Sequence, residues 1–306
     1  MRCENSEIRP EPPYDFSTHL RSFSVPGRAT PIIYDSGSNS MRYLLRIRKG
    51  YTPVRASFKG EPAEPVVAAT SCSARAGEAL GALREVIRAG FRWSEFLKAV
   101  EPYPRIAALA RKYPGVRPGR CLWLYEALVD TVIEQRIALK LALRIKAGLV
   151  EALGPREVID GEPYYGFPPP EALIAEGPEG LRRMSLTRVK ARAIYEVAVA
   201  EVEGRLPSLA EVERDPWGVA DALTELYGVG AWTAELAVAK THPLFPIGPH
   251  QDLAVRRGLE RSLGIPPDEA LEVVDSLGDY AGLVMYLAAL DYELGKGAKG
   301  SPRGSA

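Results

Sequence analysis

The sequence predicts a mainly helical protein with an N-terminal α+β region. Three observations carry that expectation. From about Ala74 to Leu294, apolar residues recur at helical spacing. Ahead of that point lie short runs of alternating or β-branched residues, bounded by Gly, Ser and Pro. Between the helical stretches, Pro and Gly recur as stop signals, in FPPP, YGVG, FPIGP and GIPP.

In the N-terminal region, MRYLLRIRK and TPVRASFKG read as strands, and VVAATSC as a possible third. PPYDFSTHLRSF ends in a strand or a short helix, and YDSGSNSM is a turn. Helical pattern then covers about Ala74 to Ala99 and Pro102 to Arg111. It continues over Leu122–Val150, Pro169–Ile174, Pro178–Met184 and Thr187–Glu203, then from Ser208 through WGVADAL. QDLAVRRGLERSLG and the Pro267–Leu294 region complete it. The expected organisation is an α+β domain over 1–105 with an antiparallel sheet, a helical domain over 106–294, and a disordered tail over 295–306, where GKGAKGSPRGSA holds no apolar pattern.

Composition narrows the function classes. No apolar run reaches the roughly 18 residues of a membrane span, and the first residues show no apolar leader, so the expectation is an intracellular protein of cytoplasm or nucleoid. Cys3, Cys72 and Cys121 form no CxxC pair and no four-cysteine cluster, which disfavours a disulfide framework, a structural zinc and an iron–sulfur cluster. His19, His242 and His250 are too scattered for a catalytic zinc. Basic and acidic residues balance at 39 each, which counts against nucleic-acid binding unless positive groups are concentrated or backbone N–H groups hold the phosphates.

The most informative stretch is Leu223–Lys240, LTELYGVGAWTAELAVAK. A helix is expected to run to about Leu226. Gly228 and Gly230 make a tight turn, and a second helix starts near Ala231. The free N–H groups of that second helix beside a glycine turn make a nest for one phosphate. A plain helical hairpin with no ligand is the alternative reading.

Asp252 follows a Pro/Gly-rich loop and opens the helix DLAVRRGL. An Asp there caps the helix, and the helix end favours its negative charge. The same carboxylate can stabilise positive charge developing on a sugar ring, or orient a water. Capping and catalysis are compatible.

The hairpin pattern at Leu223, Leu226, Gly228, Gly230, Thr233 and Ala234, with Asp252 behind it, resembles the helix–hairpin–helix DNA glycosylase superfamily. Within it, the chain resembles the AlkA-type 3-methyladenine glycosylases. PPYDFSTHLRSF, LYEALVDTVIEQRIALKLA and FPPPEALIAEGPEGLRRMSLTRVKARAI fall in the family's order, over roughly 250 residues. The resemblance implies two helical subdomains flanking a cleft, and a monomer acting on double-stranded DNA that holds a damaged base. It implies base excision with Asp252 as the catalytic carboxylate.

The resemblance also assigns further residues. Bifunctional relatives carry a lysine where this chain has Trp232, so it implies hydrolysis of the N-glycosidic bond without lyase activity. Trp232, Tyr125, Trp123 and Tyr280 are candidates for an aromatic base pocket, suited to a cationic alkylated purine. Leu236 and Ala281 depart from the family, where an aromatic and an Arg can stand. Gln135 and Arg136 occupy the segment that fills the gap left by an extruded base, with Arg136 at the wedge position and Gln135 placed either to contact bases or to cap the inter-helix loop. Gly228, Gly230, Ala231 and Thr233 would face the DNA backbone. The carbonyls of Thr224, Leu226 and Val229 would hold a structural Na+ or K+; no cofactor is required and no iron–sulfur cluster is expected. Arg256 and Arg257 could offset the acidic balance near DNA, although Arg257 could equally buttress its helix. The leading expectation is excision of alkylated purines. Deaminated or oxidised bases as substrates, or a non-catalytic DNA clamp, remain as alternatives.

Overall fold

In the computed structural model, residues 3–23 and 28–299 are described. The N-terminal region holds β1 (Cys3–Ile8), α1 (Ser17–Phe23), β2 (Ile32–Asp35), β3 (Ser40–Ile47), β4 (Gly50–Lys59) and β5 (Val66–Cys72). The strands form one antiparallel sheet in the order β1-β5-β4-β3-β2. Each expected strand is present, and two more flank them. β1 eluded the pattern because its sequence, CENSEI, is largely polar and exposed. It is an edge strand, paired with β5 in a register that sets Cys3 opposite Cys72. Those cysteines form a disulfide, against the expectation that their spacing disfavours a disulfide framework. A separation of 69 residues gives no spacing signal; the pairing follows from strand register.

Helix α2 (Ala76–Val86) covers one face of the sheet, burying Ala79, Leu80 and Leu83 against Tyr43, Val54 and Val67. Just past its end, Arg88 takes a positive φ of 49° and turns its guanidinium inward. It donates to the carbonyls of Pro118, His242 and Pro243 at 3.0, 2.7 and 2.6 Å. Burial pushes its pKa down to about 9. A buried arginine is tolerable when carbonyls satisfy its fork of donors. Here it anchors the start of the segment that leads to Asp252.

Helices α3 (Trp93–Val100), α4 (Pro104–Lys112), α5 (Leu124–Glu134) and α6 (Leu139–Leu153) follow. The expected continuous helix over Leu122–Val150 is therefore broken, and Gln135 to Ala138 form the connection. A short hairpin of β6 (Arg156–Ile159) and β7 (Glu162–Tyr165), not expected from the sequence, lies between α6 and α7 (Pro170–Arg183). α7 joins the two short helices expected there, with Gly177 at φ 64° as the kink. Then come α8 (Arg188–Val202), α9 (Leu209–Arg214), α10 (Pro216–Leu223), α11 (Ala231–Thr241), α12 (Leu253–Leu263), α13 (Pro267–Asp275) and α14 (Ala281–Lys299).

The helices divide between two cores. One centres on α5, whose Leu128, Val129 and Val132 meet Ile194 of α8 and Ala234 and Val238 of α11. The other centres on α12 and α14, where Val255 and Leu259 meet Leu287 and Ala288. Trp93, Phe96, Val100, Ile106 and Leu109 belong to this second core, so α3 and α4 pack with the C-terminal helices. The expected boundary after residue 105 falls inside α4. At the C-terminus, α14 continues to Lys299, so the stretch expected as disordered from 295 begins as helix. Residues 300–306 lie outside the described residues. Among the described residues, no helix is long and apolar enough to cross a membrane.

Candidate active site

Two connections flank α11. The first, 224–230, joins α10 to α11 and is the glycine turn. α10 ends at Leu223, three residues before the expected end, and the turn closes with Val229 N–H donating to the Leu226 carbonyl at 3.1 Å. The two glycines do different work. Gly228 has φ 75°, and a Cβ there would sit 2.7 Å from the Ala193 Cβ of α8. Gly230 has an extended backbone, φ −97°, and faces open space. Gly228 fits the turn to the protein; Gly230 leaves the start of α11 bare on its outer side. Ala231 beside it is exposed. The N–H groups of the first turn of α11 open at this end, where a helix N-terminus favours negative charge.

Gln135 locks this turn from α5. Its side-chain amide donates to the Gly228 carbonyl at 2.9 Å and to the Thr233 hydroxyl at 2.8 Å. Both amide hydrogens are thereby used, and Thr233 is only 2% exposed. Gln135 thus caps the inter-helix loop, the second of the two roles expected for it, and Thr233, an expected DNA contact, is an internal fastener of the hairpin. Arg136 is placed differently. It is exposed, in the break between α5 and α6, at φ 53°. The turn projects it from the end of α5 as a loop residue rather than a helical one.

The second connection, 242–252, joins α11 to α12 and carries Asp252. Asp252 is the N-cap of α12. Its Oδ1 accepts from the Ala254 and Val255 N–H groups at 2.8 and 3.1 Å, and its Oδ2 accepts from Trp232 Nε1 at 3.0 Å. The Asp252 N–H donates to the Pro249 carbonyl at 3.0 Å, closing the loop into a tight turn. The carboxylate is half-buried, with a fixed rotamer and donors on both oxygens. Of the four aromatic candidates, only Trp232 is brought to it.

The other three are corrected. Tyr125 is fully buried, with its hydroxyl donating to the Pro168 carbonyl at 3.2 Å. Trp123 packs on it at 4.6 Å, donates to Glu201 at 2.7 Å and is capped by Arg46 across its ring at 3.6 Å. Both rings fill the first core. Tyr280 packs against Phe91 and Phe96 in the second. Apolar rings at helical spacing served packing rather than a shared pocket. Arg256 pairs with Asp268 at 2.8 Å and Arg257 with Glu260 at 3.3 Å, so each already has an acidic partner.

One charged group was missed from sequence. Lys240 donates to Asp130 and Glu134 at 3.0 and 2.8 Å, and Lys146 reaches Asp130 at 2.9 Å. Burial works against the Asp130 carboxylate, yet the two lysines hold it well below the usual range. Burial likewise disfavours charge on Lys240, and its two carboxylate partners raise its pKa well above the usual range. Asp130 and Glu134 stand one helical turn apart on α5, a spacing visible in the sequence. The lysines come from α6 and α11, which it does not reveal. Nearby, burial pushes Glu126 up to about 7.

The oxygen set proposed for a monovalent cation fits in one respect. Among the described residues, the Thr224 and Val229 carbonyls accept no hydrogen bond, and the Leu226 carbonyl accepts one. Uncharged carbonyls suit a weakly held Na+ or K+ rather than a catalytic divalent ion. Among the described residues, no cluster of His, Cys, Asp and Glu could hold a metal.

No protein-family model matches the chain. A DNA-3-methyladenine glycosylase of Bacillus subtilis is 25% identical over 202 residues, covering 62% of this chain and 66% of that protein, just under two thirds of its length. Among solved structures, a 3-methyladenine DNA glycosylase from Archaeoglobus fulgidus superposes with a TM-score of 0.78 at 24% identity, over 94% of this chain and 98% of that one. An 8-oxoguanine glycosylase/lyase of Clostridium acetobutylicum, bound to duplex DNA, superposes with a TM-score of 0.76 at 15% identity, over 97% and 99%. That last likeness overturns the expectation that lyase activity is absent. A glycosylase/lyase is built on this same fold, so a tryptophan at position 232 speaks for that position and not for the chemistry of the whole protein. The relatives span alkylation-repair and oxoguanine branches. What these solved structures share with this chain, over nearly its whole length, is the fold: the chain has the fold of DNA glycosylases.

Proposed function

We propose that the protein is an AlkA-type DNA glycosylase that releases alkylated purines, such as 3-methyladenine and 7-methylguanine, from duplex DNA. The observation that carries this reading is the Asp252 carboxylate, pinned by the N-terminus of α12 and by Trp232 in the loop behind the hairpin.

The chemistry follows from that arrangement. As the N-glycosidic bond lengthens, positive charge grows on the deoxyribose ring. A preorganised carboxylate stabilises that charge without having to reorient. An alkylated purine is a good leaving group because its ring already carries positive charge, and the Trp232 ring beside Asp252 offers a π face to such a base. The base must leave the helix to reach this point. Arg136, exposed on its left-handed turn, is suited to occupy the gap. The N–H groups at Gly230 and Ala231 hold a backbone phosphate, and a monovalent cation on the Thr224, Leu226 and Val229 carbonyls would add positive charge there. This mode answers the neutral overall charge, since backbone donors carry part of the phosphate contact.

The test is single-turnover base release from duplexes each holding one lesion: 3-methyladenine, 7-methylguanine, hypoxanthine, uracil or 8-oxoguanine. Release of the methylated purines, lost in Asp252→Asn by a factor on the order of a thousand, is the expected result. Release of another base alone moves the substrate class. Tight binding with no release from any duplex overturns the reading.

A further inference from the structure

His250 lies two residues before Asp252, and three elements converge on it. Its backbone N–H donates to Glu235 Oε2 of α11 at 3.0 Å. Its ring Nε2 donates to Asp275 Oδ1, at the end of α13, at 2.9 Å. Its ring lies 5.3 Å from that of Trp217 on α10, at an interplanar angle of 18°, a stacked pair. Trp217 is 40% exposed and has no place in the core. α10 and α11 pack in the first helical core and α13 in the second, so this side chain ties the two cores together.

The grip on the loop is paired. Trp232 and Glu235 stand nearly one turn apart on α11, and they hold Asp252 and His250, two residues apart on the loop. Resting on the proposed glycosylase reading, we propose that His250 is a positioning residue: clamped by Asp275 and Trp217, it fixes the loop that aims the Asp252 carboxylate. A carboxylate does its electrostatic work only where it is held to a fraction of an ångström. The clamp is stronger with a charged ring than with a neutral one.

The charged groups facing His250 are Asp275 from α13 and Glu235 from α11, with Asp221 of α10 beyond Glu235. The hydrogen bond to Asp275 raises the His250 pKa, and burial opposes it. Burial raises Glu235. The charged form of His250 therefore persists above the ordinary histidine range and is lost as pH rises through the raised value. Base release by the wild-type chain should follow that loss.

The experiment measures single-turnover base release at saturating enzyme, using the full chain and the methylated-purine duplexes, from about pH 5 to pH 9. The variants are His250→Gln, which cannot titrate but keeps a side-chain donor, Asp275→Asn, and Asp252→Asn. Taking wild type relative to His250→Gln at each pH cancels the titration of the base itself. That ratio should fall about fivefold as pH rises, the factor expected when a charge-assisted hydrogen bond becomes a neutral one. In Asp275→Asn the inflection should move to lower pH, while the Kd for lesion duplex stays as in wild type. A ratio independent of pH overturns the proposal, as does an Asp275→Asn profile that overlays the wild type. Asp275 is 42% exposed, so that variant carries the test if His250→Gln fails to fold. An active Asp252→Asn, or a wild type that releases no base, overturns the glycosylase reading and the positioning role with it. Loss in Asp252→Asn with a flat ratio overturns the positioning role alone.

Discussion

The connection over 224–230 and the connection over 242–252 flank the same helix, and they are held in opposite ways. The first presents backbone. Its shape is set by a positive φ at Gly228, by the Ala193 methyl packed under it and by one glutamine that ties its Gly228 carbonyl to Thr233 of α11. The second presents a side chain. Its shape is set by polar contacts from far along the chain: Arg88 at its start, Glu235 and Asp275 at His250, and Trp232 at Asp252. A site that binds phosphate through N–H groups can be encoded locally, because the backbone itself is the ligand. A site that works through one carboxylate needs partners that only tertiary structure supplies.

Gly228→Ala should break the first connection most severely. The new methyl meets Ala193 Cβ at 2.7 Å, on a backbone conformation that L side chains rarely adopt. A loss of about 2–3 kcal/mol is expected from the two effects together, read as a fall in Tm and in denaturant midpoint. A variant as stable as wild type would mean that the turn is not set by steric fit.

Gln135→Ala comes next. It leaves the Gly228 carbonyl and the Thr233 hydroxyl without their donor, at a cost of about 1–2 kcal/mol. Since the hairpin would loosen, affinity for undamaged duplex should fall as well. Stability lost with affinity intact would separate the fastener from the phosphate site.

Trp232→Phe tests the second connection. It keeps an aromatic face beside Asp252 and removes the donor to Oδ2. A hydrogen bond to a charged group is worth about 1.5 kcal/mol at the low end, so single-turnover base release should slow about tenfold with Tm little changed. An unaltered rate would assign the indole N–H no share in aiming the carboxylate.

How much of this was legible follows from the same contrast. The strands β3, β4 and β5, the helix starts at Ala231 and Leu253, and the acidic N-cap all show in local pattern. So does the glycine turn. What was not legible rests on partners distant in sequence. Cys3 meets Cys72 only because of strand register. Tyr125 and Trp123 read as pocket aromatics, and burial in the first core shows them as packing. Gln135 was in view as a residue with work to do, but which neighbour it served depended on how α5 meets α11. His250 stood two residues from Asp252 and drew no attention as a site residue, because Trp217, Glu235 and Asp275 lie 15 to 33 residues away.

Gly230→Ala carries the smallest expected effect on the protein and the sharpest reading of its surface. Its backbone is extended and nothing lies within 4 Å of an added methyl, so stability should shift by no more than about 0.5 kcal/mol. Relative to glycine, alanine also favours regular backbone slightly, which leaves no folding reason for glycine at this position. The remaining reason is room on the outer side of α11, where another molecule's backbone would approach. Duplex affinity measured at low salt should therefore fall severalfold in Gly230→Ala while Tm holds, the reverse of the pattern expected for Gly228→Ala. If both glycines changed stability alone, the hairpin would be a fold element with no phosphate in it. If Gly230→Ala weakens binding by itself, the two glycines divide between them the making of the turn and the meeting of the DNA.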